Sequence, residues 1–120
     1  MSVDKGFIKY PVYRSDKDVR TLEMYNKVAG VESKTDVSAT FSDVLIQVRT
    51  GDNPNSSLIK SLSLAEGTIT VTDTNVLNFD LSMNVDDGVY YYDVRFKVVG
   101  ETQYQTYIKG VVTVENNVSR

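Results

Sequence analysis

The sequence of 120 residues contains no cysteine, no histidine and no tryptophan. Without cysteine, the chain can form neither a disulfide framework nor a thiolate metal site. Without histidine, it lacks the usual metal ligand and the side chain most often used for general acid–base catalysis near neutral pH. We therefore predict no catalytic residue, no metal and no cofactor, and an enzyme is the least favoured class of protein.

Clusters of basic residues and long apolar runs are also missing. The net charge is -3, and no stretch gathers enough Lys and Arg to neutralise phosphates, which argues against nucleic acid as a partner. No apolar run approaches the length of a membrane span, and residues 1–6 show no basic segment leading into an apolar one. We expect no membrane partner, no signal peptide, and synthesis in the cytoplasm.

Acidic residues are numerous but are placed as turn residues. Serine and threonine have no histidine partner that would activate them as nucleophiles. The aspartates considered for a carboxylate pair or a calcium site are Asp43, Asp52, Asp73, Asp80, Asp86 and Asp87. None of their segments has the ligand spacing of a calcium loop, whereas Asp and Asn commonly cap turns. We assign these aspartates structural roles.

The chain does contain alternating apolar and polar residues. Hydrophobic residues make up 41% of it, enough for the core of one domain over residues 1–120. From about residue 37 onward, apolar residues recur at every second position between short clusters of Gly, Asn, Asp and Ser, a pattern typical of strands joined by tight turns. This spacing predicts an all-β sandwich of about seven to eight strands, with a closed barrel as the alternative.

The N-terminal third gives a weaker signal. An apolar run ends at Tyr13 and contains Pro11, which cannot donate a ladder hydrogen bond and so restricts this strand to a sheet edge. We predict that residues 1–13 form an N-terminal arm or an edge strand. We predict a second strand from Thr21 to Tyr25 and a loop over residues 26–34. We predict no helix anywhere.

The run Asp86-Asp87-Gly88-Val89-Tyr90 matches the tyrosine corner of immunoglobulin-like sandwiches. In that corner, a Tyr at the start of the sixth strand donates a hydrogen bond to upstream backbone where the chain crosses between sheets. We therefore assign Asp86, Gly88 and Tyr90 to a structural corner, which favours an immunoglobulin-like Greek-key sandwich over a barrel. Tyr92 then occupies the place of the second cysteine of antibody domains.

Eight tyrosines are present. Tyr90 and Tyr92 fall on the core parity of their strand, whereas Tyr91 and Tyr107 fall on the outward parity of two strands that we expect to be neighbours. A protein-contact face and ordinary exposed strand tyrosines are equally good interpretations. The candidate interface residues are Tyr91, Arg95, Lys97, Tyr107 and Lys109. The residues of an alternative sugar-stacking surface are Tyr91, Tyr104 and Tyr107.

Three runs carry a resemblance to a known family. Residues 88–93 read Gly-Val-Tyr-Tyr-Tyr-Asp, residues 110–114 read Gly-Val-Val-Thr-Val, and residues 118–120 read Val-Ser-Arg. Together with Val44–Arg49, Leu58–Leu64 and Gly67–Ile69, they resemble small β-sandwich virion proteins of tailed bacteriophages. In that family, similar runs recur in tail, baseplate and fibre-anchoring domains, including the N-terminal domain of upper baseplate proteins. The resemblance covers about residues 41–120.

The resemblance implies a non-enzymatic structural virion protein made in the host cytoplasm. It would be an adaptor or attachment subunit in the tail, baseplate or head-to-tail region, and would form a homo-oligomer or ring with other virion proteins. Two alternatives remain open. One is a capsid decoration or head-fibre protein, and the other is a carbohydrate-binding or adhesion module that binds a glycan at the particle surface.

Overall fold

The computed structural model describes residues 6–13, 17–53 and 55–115, and for residues 6–9, 13, 27, 28 and 107 it describes the backbone only. Strands make up most of the described residues and the helix is a single turn of four residues, so the protein is all-β. The elements of the described ranges are β1 Gly6–Tyr13, β2 Val19–Glu23, β3 Tyr25–Val28, β4 Val31–Lys34, α1 Val37–Thr40, β5 Phe41–Arg49, β6 Leu58–Ser63, β7 Ile69–Thr72, β8 Val76–Asp80, β9 Gly88–Val98 and β10 Gln105–Glu115. No helix in these ranges is long and apolar enough to cross a membrane.

Two sheets contain all the strands except β3 and β4. The larger sheet has five strands in the order β1-β10-β9-β5-β6, and the smaller has three in the order β2-β8-β7. β1 pairs parallel to β10, whereas the other neighbouring strands pair antiparallel. The arrangement is compatible with a β-sandwich, and β1 and the strands from β5 onward correspond to runs that the sequence predicts as strands. The predicted second strand, Thr21 to Tyr25, is displaced: β2 ends at Glu23, and Tyr25 begins β3.

Both sheets contribute to one hydrophobic core. Along β5, β8, β9 and β10, every second side chain is buried, because one face of each strand packs inward and the other faces out. The buried hydrophobic residues of these strands are Phe41, Val44, Ile46, Val48, Leu77, Phe79, Tyr92, Val94, Phe96, Ile108, Val112 and Val114. The inward and outward parities predicted for β9 agree with this burial.

The edge strand β1 is fastened to the smaller sheet by two side chains. The Tyr10 ring lies edge-on to that of Phe79 on β8, with centroids 6.4 Å apart. Arg20 on β2 donates from Nη2 to the Pro11 carbonyl at 2.6 Å, and its guanidinium carbon lies 5.2 Å from the centroid of the Tyr10 ring. Residues 10–12 are therefore integrated into the fold, whereas residues 1–5 of the predicted arm lie outside the described residues.

The segment before β5 contains a helical turn where the sequence predicts no helix. The side chain of Asp36 caps α1, because its Oδ1 accepts a hydrogen bond from the Ala39 N–H at 3.2 Å. Val37 is fully buried at 0% exposure, which anchors the turn to the core. A helix of four residues is too short to show a helical period in the sequence, so the prediction of no helix is wrong here.

Residues 26–34 were predicted to be a loop but form most of a hairpin, in which β3 pairs antiparallel with β4. Its turn residues Ala29 and Gly30 have φ angles of 51° and 79°, as a two-residue hairpin turn of the left-handed type requires. All four residues of β4 are exposed. The prediction is wrong because alternation reports burial of one strand face, and here neither face of β4 is buried.

At the tyrosine corner, the Tyr90 hydroxyl donates to the carbonyl oxygen of Asp86 at 2.7 Å. Gly88 opens β9 opposite Val114. Tyr90 is half-buried against the core, and Tyr92 is buried at 5% exposure. The hydrogen bond therefore connects the chain that leaves the smaller sheet to the start of β9 in the larger one.

Replacing Tyr90 by Phe removes this hydrogen bond while keeping the ring. We expect the free energy of unfolding to fall by about 1 kcal/mol, because the Asp86 carbonyl loses a partner. The matched control is Tyr25→Phe, since the Tyr25 hydroxyl donates at 3.2 Å to Glu23 at an exposed site; its change should stay within about 0.5 kcal/mol. Urea denaturation measures both, and equal changes would contradict the corner's role.

The turn between β7 and β8 offers a second test of the backbone. Asp73 and Thr74 have φ angles of 52° and 65°, a region that a β-branched residue adopts only with strain. We expect Thr74→Gly to raise the free energy of unfolding by about 1 kcal/mol. Thr70→Gly, at an exposed extended position of β7, should lower it instead. A loss of stability in both variants would show that no strain is stored at Thr74.

Candidate functional site

The outward face of the larger sheet brings together charged residues from three strands. On β9, Asp93 lies between Gln47 of β5 and Lys109 of β10. In the next row, Tyr91 lies beside Arg49 of β5. These side chains share one face because each alternates with buried residues along its own strand.

A solvent-open cavity of about 220 Å³ lies on this face. We call it the outer-face cavity. Its lining includes Arg49, Asp52, Tyr91, Asp93, Arg95 and Lys109. Three of the candidate interface residues, Tyr91, Arg95 and Lys109, are therefore gathered at one place.

The charged groups of the cavity are partly paired with one another. Arg95 Nη2 lies 3.0 Å from Asp93 Oδ2, and Arg49 Nη2 donates to Gln47 Oε1 at 2.9 Å. Lys109 and Asp52 form a looser pair at the rim, with Nζ and Oδ1 4.0 Å apart and both side chains mostly exposed. Such an exposed pair contributes little to stability, so its groups can exchange partners at low cost.

Some polar atoms of this cluster are buried without a hydrogen-bond partner. They are the Nε atoms of Arg49 and Arg95 and the Oδ1 atom of Asp93. Buried polar groups are usually satisfied, because an unpaired one loses its water without compensation. The cluster therefore has unused capacity both to donate and to accept hydrogen bonds. This favours a binding surface over a cluster that only stabilises the sheet.

The electrostatic balance of the cavity differs from that of the whole chain. Its lining holds the cations Arg49, Arg95 and Lys109 against the carboxylates Asp52 and Asp93, although the chain as a whole carries a net charge of -3. The lining therefore carries a small excess of positive charge, which favours acidic groups over basic ones at this face.

Lys97 and Tyr104 belong to a different cluster. The Tyr104 hydroxyl donates to Oδ2 of Asp43, which raises the pKa of Tyr104 above its usual value. Lys97 Nζ lies 5.3 Å from the centroid of the Tyr104 ring. Neither residue lines the outer-face cavity, so the structure divides the predicted interface and stacking residues between two sites.

Asp43 organises this second cluster. Its side chain is buried, and Oδ1 accepts hydrogen bonds from the backbone N–H of Val44 at 2.9 Å and of Ala65 at 3.0 Å. The register between β5 and β9 shifts at this position, between Phe41 and Asp43. One carboxylate therefore holds together a bulge in β5, the turn after β6 and the loop before β10.

Tyr107 lies in another register shift, between Thr106 and Ile108 on β10. Its backbone is described but its side chain is not, so its role in an interface stays a prediction. Val111, and not Tyr107, lies opposite Tyr91. The backbone register therefore does not place the two tyrosines directly opposite each other.

Sequence reasoning did not assign Arg49, Gln47 or Asp93 to a site. The sequence does predict that these side chains face outward; Gln47 and Arg49, for example, alternate with Ile46 and Val48, which are buried. Their grouping depends on β5 lying next to β9, which is a property of the sheet order. In residues 6–13, 17–53 and 55–115, no group of three or more acidic side chains is placed to hold a metal ion.

Comparisons with known proteins give little. No family model matches the sequence, and no curated protein matches it. One similar solved structure is a family 123 glycoside hydrolase from Clostridium perfringens, whose study concerns glycolipid glycan hydrolysis. The identity is 13% and the TM-score 0.42, and the match covers 97% of this chain but only 24% of that enzyme. A likeness at this level carries no argument about function.

The bond between Tyr104 and Asp43 predicts a pH dependence. Because the folded pKa of Tyr104 is raised, its contribution to stability is fully present below the unfolded value of 10.0 and is lost as pH rises through the folded value. We expect Tyr104→Phe to lower the free energy of unfolding by about 1–2 kcal/mol near neutral pH. This difference from the wild type should shrink above about pH 10.

Urea denaturation from about pH 8 to about pH 11 measures this difference directly. Tyr25→Phe again serves as the control, because its exposed hydroxyl should make little difference across the range. A Tyr104→Phe penalty that stays constant up to the highest pH would exclude the hydroxyl–carboxylate bond as its source.

Proposed function

We propose that this chain is a non-enzymatic structural protein of a tailed bacteriophage virion. It would act as an adaptor or attachment subunit in the tail, baseplate or head-to-tail region. The observation that carries the binding role is the outer-face cavity, where Arg49, Asp93 and Arg95 keep hydrogen-bonding atoms without partners beside Tyr91. The virion context rests on the sequence resemblance.

The strand order supports an immunoglobulin-like Greek-key sandwich. The order β10-β9-β5-β6 follows G-F-C-C′ of an immunoglobulin variable domain, and β2-β8-β7 follows B-E-D. The hydrogen bond from Tyr90 to Asp86 lies at the start of the strand equivalent to F, where the tyrosine corner is found.

Two runs of the phage-like motif lie on the strands that carry the face. The Gly-Val-Tyr-Tyr-Tyr-Asp run lies on β9 and presents Tyr91 and Asp93 outward, while the Gly-Val-Val-Thr-Val run lies on the neighbouring β10. The outermost strands β1 and β6 of the larger sheet also leave edges to which an extended segment of another virion protein can add. Both features suit a subunit that assembles with other proteins.

Binding is favoured over catalysis by the chemistry of the face. The chain has no histidine or cysteine, and Arg95 and Asp93 of the cavity are paired with each other. The same pair recognises partner groups well, since a guanidinium offers several donors in a fixed geometry.

The proposal is tested by complementation of a phage that lacks this gene. We expect wild-type protein to be incorporated into purified particles, and the double variant Tyr91→Ala, Lys109→Ala to be incorporated at least about tenfold less. Lys17→Ala, which removes an exposed cation outside the cavity, should behave as wild type. Thermal unfolding of the purified variants checks that each folds.

Absence of the wild-type chain from purified particles would reject the virion role. Normal incorporation of the double variant would reject the outer-face cavity as the attachment surface. Mapping the density of the chain on intact particles separates a tail or baseplate position from capsid decoration or a head-fibre position.

A second candidate function is glycan binding in the same cavity. Sugar hydroxyls both donate and accept, and the cavity combines unpaired guanidinium donors, the unpaired Asp93 acceptor and the Tyr91 ring. We expect a glycan array to give signals that Tyr91→Ala abolishes. A silent array, or signals unaffected by Tyr91→Ala, would remove this candidate.

A further inference from the structure

The β3–β4 hairpin has an edge that no other strand of the described residues covers. β3 and β4 form a two-stranded sheet of their own, and all four residues of β4 are exposed. A two-stranded hairpin is at best marginally stable alone in water, and an open edge offers backbone groups to another strand. The hairpin is therefore the element of this fold with most to gain from a partner strand.

The base of the hairpin is held firmly by the rest of the molecule. Thr35 N–H donates to the Met24 carbonyl at 3.1 Å, and Met24 N–H donates to the Asn75 carbonyl at 2.9 Å. The Asn75 side-chain amide also donates to the Met24 carbonyl, at 3.2 Å, and all three residues are buried. The exposed edge is thus presented in a defined position, which lowers the entropy that a partner must remove on binding.

The hydrogen-bond pattern identifies which backbone groups are free. In an antiparallel pair, residues that exchange hydrogen bonds alternate with residues whose N–H and C=O groups point away. The bond from Thr35 to Met24 sets this alternation, and the register then directs the backbone of Ser33 towards Asn26. The N–H and C=O groups of Glu32 and Lys34 consequently point outward from β4.

We propose that a second copy of this chain pairs antiparallel with the β4 edge across a two-fold axis. An antiparallel pair can align the free groups in three ways: Glu32 with Glu32, Lys34 with Lys34, or Glu32 with Lys34 of the other copy. The first two place like charges directly opposite each other, which is destabilising in a sheet. Only the third places opposite charges together, and the two-fold axis repeats that pair.

This register gives a continuous four-stranded sheet. Glu32 and Lys34 of one copy exchange backbone hydrogen bonds with Lys34 and Glu32 of the other, and Ser33 lies on the axis opposite its own counterpart. Within each copy, Lys27 occupies the register position next to Glu32, and Tyr25 the position next to Lys34. In the new sheet, opposite charges therefore face each other where Glu32 of one copy meets Lys34 of the other.

The edge is complementary to itself, which is the requirement for a closed two-fold contact. A second copy has the same sequence, so its β4 edge offers Lys34 to Glu32 and Glu32 to Lys34 of the first copy. The inference does not depend on the virion role, and it would hold for this chain in any setting.

The chain has no cysteine, so a single introduced thiol reports the register. Ser33 would face its counterpart in a pair without mutual hydrogen bonds, whose Cα atoms lie about 4.5 Å apart, within disulfide range. We expect Ser33→Cys to form a covalent dimer under mild oxidation of the full chain. Thr70→Cys, at an exposed position on the edge strand β7, should remain largely monomeric under the same conditions.

Charge reversal tests the pairing itself. We expect Glu32→Lys and Lys34→Glu each to weaken dimerisation, measured by light scattering or sedimentation, by about tenfold in Kd. The double variant Glu32→Lys, Lys34→Glu should recover wild-type affinity, because it restores opposite charges across the axis. Added salt should narrow the differences between the variants.

A wild-type chain that stays monomeric, or Ser33→Cys cross-linking no faster than Thr70→Cys, would overturn the proposal. A dimer that forms without the Ser33→Cys cross-link would show that another surface or another register makes the contact, and would also overturn it. Failure of the double variant to recover would show that charge does not set the register. Dimerisation and incorporation into particles are measured separately, so the dimer proposal and the virion proposal can fail independently.

Discussion

The register of β9 between β5 and β10 is the constraint on which the rest of this structure depends. Because successive side chains of a strand point to opposite faces, a slip of one residue would move Tyr92, Val94 and Phe96 out of the core. The same register presents Tyr91 and Asp93 outward beside the side chains of the neighbouring strands. Core packing therefore determines the outer-face cavity, although that cavity adds little to the core.

This separation between core and face explains how charged and polar residues can gather on one side of the larger sheet without disturbing the core. Exposed ion pairs contribute little to folding, so the Lys109–Asp52 pair is free to change partners. The residues that stabilise the fold lie elsewhere. Asp43 joins three segments through its buried carboxylate, and Arg20 holds β1 to the smaller sheet.

The alternating pattern was sufficient to predict the strands from β5 to β10, and the faces of β9 were predicted correctly. It failed for α1 and for the β3–β4 hairpin. α1 is a single turn positioned by the Asp36 cap and buried Val37, and β4 buries neither face. A pattern of hydrophobicity reports burial, so it cannot detect strands held mainly by backbone hydrogen bonds, which every residue type but proline can donate.

The sequence by itself determined the all-β class, the single core and the parity of each long strand, because alternation is a local property of the chain. Only the tertiary structure decided which outward residues meet. It placed Arg49 beside Tyr91, bound Tyr104 to Asp43 and paired β1 in parallel with β10. These outcomes depend on the strand order and on the bulges in β5 and β10. The strand order brings together segments that are far apart in sequence, and neither segment carries a periodic signal of the other.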